Sequence, residues 1–146
     1  MATDTIVKPS LTLKRRLKAP PAQVFAAWID PEKVMRWMGP GEIAGSSAEC
    51  DARPGGRYRW VMRKPSGEEL EVSGVYREVV PNEKLVLTWA WKAAPEEESL
   101  ITVLLKPDGD GTLLTLTHEQ FADEDARDKH ASGWTSGLDG LERYFA

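Results

Sequence analysis

Apolar residues recur along this chain with two periods, and the changes of period divide it into four stretches. Near the N-terminus Leu11, Leu13 and Leu17 flank Lys14, Arg15 and Arg16, a partly alternating run that predicts a strand ending at Ala19-Pro20-Pro21. The spacing then becomes helical. Pro21 suits a first helical turn, where its missing N–H would have no partner, and Val24, Phe25, Trp28 and Ile29 follow on one face. Asp30 before Pro31 and Glu32 reads as an N-cap with proline at N1, opening a second short helix with Val34, Met35 and Trp37 that ends at Gly39-Pro40-Gly41.

From about Ser46 to Gln120 the period is two. Tyr58, Trp60 and Met62 alternate with Arg57, Arg59, Val61 and Arg63, and Leu70, Val72, Gly74 and Tyr76 with Glu69, Glu71, Ser73, Val75 and Arg77. Leu85 to Trp91, Ile101 to Lys106 and Thr112 to Gln120 continue the meander. Pro54-Gly55-Gly56, Pro65-Ser66-Gly67, Pro81-Asn82 and Asp108-Gly109-Asp110-Gly111 separate the runs with residues that accept turn geometry, so neighbouring strands pair antiparallel. Beyond Phe121, Trp134, Leu138, Leu141 and Phe145 stand at i, i+4, i+7 and i+11, predicting a helix to the C-terminus with all four residues buried. A sheet with one apolar face and a helix with one apolar stripe cover each other, giving an α+β domain of two layers.

Composition narrows the function classes. The chain of 146 residues carries a net charge of −4, and its basic residues are scattered singly or in pairs, so no footprint for nucleic acid or an anionic membrane is present. No repeat or linker divides it, and one domain over 1–146 is expected, with 1–10 loosely ordered. Cys50 is the single cysteine, which excludes an intrachain disulfide. With no apolar run of signal-peptide or membrane-spanning length, a cytoplasmic location is expected.

Catalytic and metal motifs fail on inspection. Asp108 to Glu119 has acidic residues at calcium-loop positions, but Leu113 stands where the loop needs glycine and the segment alternates like a strand. His118-Glu119 opens like a zinc-protease motif without its second histidine, and Cys50, His118 and His130 lack paired ligand spacing. Gly39-Pro40-Gly41 with Gly45 departs from the dinucleotide fingerprint, and no nucleophile elbow or phosphate loop occurs. Neither a metal nor an organic cofactor is expected.

Aromatic content is the remaining signal. Six tryptophans, Trp28, Trp37, Trp60, Trp89, Trp91 and Trp134, are many for one small domain. They either fill the core or line a pocket, where apolar walls with few polar groups are the usual design. Strand parity puts Trp89 and Trp91 on one face with Leu85 and Leu87, and His118 on the face of Leu114 and Leu116. His130 lies one helical turn before Trp134. Gly133, Gly137 and Gly140 in the last helix suggest close packing or room left open, since glycine is unfavourable in helix interiors.

Asp30-Pro31-Glu32 leading to Trp37, Arg53-Pro54-Gly55-Gly56 with Tyr58, Leu85 to Trp89, Gly111-Thr112 with Leu114, Leu116 and His118, and finally Gly133-Trp134 occur in an order that resembles the Hsp90-ATPase-activator-homologue-1-like family of the START/Bet v1-like superfamily. The resemblance implies a helix-grip fold, a curved antiparallel sheet packed on a long C-terminal helix with two short helices after the first strand. It also implies a cavity, because relatives in the superfamily bind lipids, sterols, hormones or polyketides, a few of them catalysing cyclisation; no shared catalytic set carries over.

The leading expectation is therefore a protein that binds a small hydrophobic or aromatic molecule between sheet and helix. Trp37, Tyr58, Trp60, Trp89, Trp91, His118, His130, Trp134 and Leu138 are the expected lining, and Gly137→Leu is expected to occupy the pocket or close its mouth. Two other readings stand beside it: a cyclase or isomerase using His118 or His130 as acid or base, and a protein-interaction module related to co-chaperones. Monomer and homodimer are both compatible with the sequence.

Overall fold

The protein is described by a computed structural model covering residues 8–38 and 43–146; the turn expected at Gly39-Pro40-Gly41 and most of the N-terminal segment lie outside the described residues. The order of elements is β1 (Leu11–Leu17), α1 (Pro21–Ile29), α2 (Pro31–Trp37), β2 (Ala44–Cys50), β3 (Arg57–Arg63), β4 (Glu69–Val80), β5 (Lys84–Trp91), β6 (Ser99–Asp108), β7 (Gly111–Glu119) and α3 (Glu124–Tyr144).

Local chemistry sets the helix boundaries. Pro21 begins α1. Asp30 serves two helices: its N–H donates to the Ala26 carbonyl at 2.9 Å to close α1, and its carboxylate accepts the Glu32 N–H at 3.0 Å to open α2. The start of α3 is fixed by Asp123, whose Oδ1 accepts the Ala126 N–H at 2.8 Å.

All neighbouring strands are antiparallel, in the order β1-β7-β6-β5-β4-β3-β2. The sheet's curvature has an identifiable device in the middle. The β4–β5 register shifts between Tyr76 and Glu78, and nearby a Cβ on Gly74 would lie 2.1 Å from the Thr88 carbonyl oxygen. Only glycine permits that approach. The same carbonyl accepts the Tyr58 hydroxyl from β3, and Thr88 Oγ1 accepts the Val75 N–H at 2.8 Å, so the bend is held by hydrogen bonds from both β3 and β4.

The curved sheet wraps an aromatic core. Trp28 of α1, Trp60 of β3, Trp89 of β5 and Trp134 of α3 are all buried, and Trp134 stacks on Trp28 at 5.8 Å and meets Trp89 at 5.2 Å. Leu138 and Leu141 continue the buried stripe of α3. Phe145 does not: it is only half-buried, because α3 ends at Tyr144 and Phe145 turns out of the helix as its C-cap, packing edge-on against Tyr144 at 4.9 Å. Among the described residues, no helix is long and apolar enough to cross a membrane.

Candidate ligand-binding cavity

Where the first half of α3 leaves the sheet, a cavity of about 490 Å³ opens. Trp89 and Trp91 reach it from β5, Met62 and Leu70 from β3 and β4, and His130 and Trp134 from α3. Alternation explains the sheet side: Trp89 and Trp91 share parity, and Met62 and Leu70 are cross-strand partners. On the helix side His130 and Trp134 are one turn apart, with Gly133 between them.

Gly133 is the opening in the helical wall, since a Cβ built there meets nothing within 4 Å. This corrects the expectation for Gly137, which is buried outside the cavity and whose Cβ would touch the Trp134 ring at 3.8 Å. Gly140 has another use. A Cβ there would lie 2.7 Å from the Trp37 carbonyl oxygen, so this glycine lets α3 sit against the end of α2.

The nine expected site residues fall into two layers. Trp89, Trp91, His130 and Trp134 line the cavity. Trp37, Tyr58, Trp60, His118 and Leu138 do not; they are buried beside or beneath it. Trp37 donates its indole N–H to the Ala27 carbonyl at 2.8 Å, tying α2 to α1. Trp60 packs edge-on against Trp89 at 5.8 Å, and Tyr58 packs against Trp60 at 5.2 Å. Tyr58, Trp60 and Met62 share strand parity, and of the three only Met62 borders the cavity. Met38, Ala126, Glu97, Asp123, Asp125 and Lys129 also line it, and periodicity picks out none of them because they sit at helix ends and in loops or on the polar side of α3.

Both histidines position tryptophans. His130 Nδ1–H donates to the Ala126 carbonyl at 2.7 Å, and Nε2 accepts the Trp91 indole N–H at 2.9 Å. His118 Nε2–H donates to Ser99 Oγ at 2.6 Å, while Nδ1 accepts the Trp134 indole N–H at 3.0 Å. Ser99 in turn donates to the Trp89 carbonyl at 3.2 Å. Carbonyl oxygens only accept and indole N–H groups only donate, so these partners fix each ring as a neutral tautomer. Burial, with a smaller contribution from His130, lowers the His118 pKa to about 2. Burial also lowers that of His130, against the opposing pull of the Ala126 carbonyl and Glu97. Neither ring has a free lone pair for a substrate proton.

Cys50, His118 and His130, weighed above as metal ligands, do not form a ligand set. His118 and His130 lie 5.1 Å apart, centre to centre, but among the described residues no group of three His, Cys, Asp or Glu side chains could hold a metal ion. Cys50 is a free cysteine on β2, half-buried, and burial raises its pKa.

Against known proteins, residues 18–146 match the family described as Activator of Hsp90 ATPase homolog 1-like protein. The chain belongs to this family. Among solved structures, a protein from Chromobacterium violaceum shares 29% identity with a TM-score of 0.85, covering 93% of this chain and 96% of that one. An AHSA1 protein from Silicibacter pomeroyi shares 28% identity at a TM-score of 0.83, covering 93% and 96%. A protein from Rhizobium leguminosarum shares 31% identity at a TM-score of 0.78, covering 94% and 93%. No curated protein matches the chain. These likenesses agree with the curved sheet and C-terminal helix described above.

Proposed function

We propose that this member of the Activator of Hsp90 ATPase homolog 1-like family binds a small apolar or aromatic molecule in the cavity between its sheet and α3. The observation that carries the proposal is the cavity wall: Trp89, Trp91 and Trp134 border about 490 Å³ of space beside an unobstructed Gly133. That volume lies within the usual range for small-molecule sites, and aromatic walls with few polar groups are their usual lining.

The hydrogen bonds favour binding over acid–base chemistry. His118 and His130 use both ring nitrogens to hold Trp134 and Trp91, which makes the wall rigid before any ligand arrives. Preorganised walls lower the ordering cost of binding. We place the protein in the cytoplasm on its single free cysteine, a composition suited to a reducing compartment.

Native mass spectrometry of freshly prepared protein tests the proposal. A co-purified species of small-molecule mass, released on denaturation and reduced in Gly133→Leu, is the expected result. A ligand-free spectrum together with no binding from a broad panel of apolar and aromatic compounds contradicts it.

A further inference from the structure

The cavity is apolar within but strongly one-signed at its mouth. Glu97, Asp123, Asp125 and Lys129 all border it, three carboxylates against one ammonium. Lys129 is occupied by its ion pair with Asp125 at 3.1 Å, one turn along α3. Glu97 has no ion pair among the described residues, and it lies close enough to His130 to act on that ring electrostatically. His130 adds no positive charge, because its two hydrogen bonds fix it as the neutral ring.

The positive end of α3 also opens here, and a bare helix N-terminus would favour an anion. This one is already answered. Asp123 caps it through the Ala126 N–H, and Glu124 and Asp125 fill the first turn. An anionic headgroup entering between Glu97 and Asp123 would meet carboxylates on both sides.

Inside the mouth, the indoles of Trp89 and Trp91 meet edge to face at 5.5 Å, and Trp134 lies 5.2 Å from Trp89. Tryptophan faces are the best aromatic partners for cations.

Resting on the binding function proposed above, we propose that the ligand is an aromatic or apolar amine, positively charged at neutral pH. Its apolar body lies among Trp89, Trp91 and Trp134, and its ammonium group points out toward Glu97 and Asp123. Fatty acids and other anionic amphiphiles are disfavoured by the same mouth.

Three naphthalene probes of matched size, bearing a trimethylammonium, a hydroxyl or a sulfonate group on a one-carbon arm, discriminate the inference when titrated calorimetrically into the full chain. The cationic probe is expected to bind about tenfold more tightly than the neutral one, from cation–π and rim charge together, and the sulfonate most weakly. Glu97→Gln, at an exposed loop position, should shrink the cation preference about threefold, and added salt should shrink it further. Equal affinities for the three probes, or tightest binding of the sulfonate, would overturn the charge assignment and leave the cavity function standing. Failure of all three to bind would overturn both.

Discussion

His118 shows how a residue suited to catalysis is used here as a structural part. It is fully buried, and each ring nitrogen has a partner whose chemistry permits only the neutral ring. Protonation would turn Nδ1 into a donor facing the Trp134 N–H. The stability consequence has a definite sign. A histidine held neutral in the fold takes up a proton only on unfolding, so its contribution is complete above about pH 6.5 and declines as the pH falls toward the depressed folded value. Between pH 6.5 and 5 the loss should be about 2 kcal/mol for this group, with His130 acting in the same direction. Denaturant melts across that range should give a slope that flattens in His118→Gln; an unchanged slope would contradict the buried neutral ring. Trp134, which binds His118 and stacks on Trp28, should cost about 3–5 kcal/mol when truncated to alanine. A loss below about 1 kcal/mol would show that this part of the core is loosely packed.

Among the elements, α3 carries the most testable contrast, because two of its glycines stand in opposite surroundings. In an ordinary helix interior, glycine to alanine stabilises by about 1 kcal/mol. Gly133→Ala should do so, since its Cβ enters open space. Gly140→Ala should destabilise by about 1–3 kcal/mol, since its Cβ would collide with the Trp37 carbonyl at the end of α2. Thermal melts of the two variants shifting in the same direction would contradict the described seating of α3. The elements themselves were largely legible in the sequence. Pro21, the Asp30-Pro31 pair and the turn clusters within the described residues carry local signals, and each coincides with an observed boundary. The roles of the glycines were not legible, because Gly133 and Gly137 stand one helical turn apart on the same face and only their three-dimensional surroundings tell them apart. Strand parity likewise treats Tyr58, Trp60 and Met62 alike, so it did not show that the first two lie beneath the wall while Met62, with Leu70, forms part of it. Phe145 fails for a local reason: the stripe is a property of the helix, and the helix stops one residue earlier.

For the molecule as a whole, the curved sheet and α3 are closely packed along Leu138 and Leu141 and part near Gly133. The aromatic content therefore divides between a core that holds the fold and a wall that faces open space, with Trp89 and Trp134 belonging to both. Titration with an environment-sensitive apolar dye, followed by dye emission and by quenching of indole fluorescence, tests this division most directly. Wild-type protein is predicted to bind the dye saturably at one site, and Gly133→Leu, folded and placing its side chain into the cavity, to lose most of that affinity. Absence of saturable binding to the wild type, or equal affinity in a correctly folded Gly133→Leu, would contradict a ligand site between the sheet and α3.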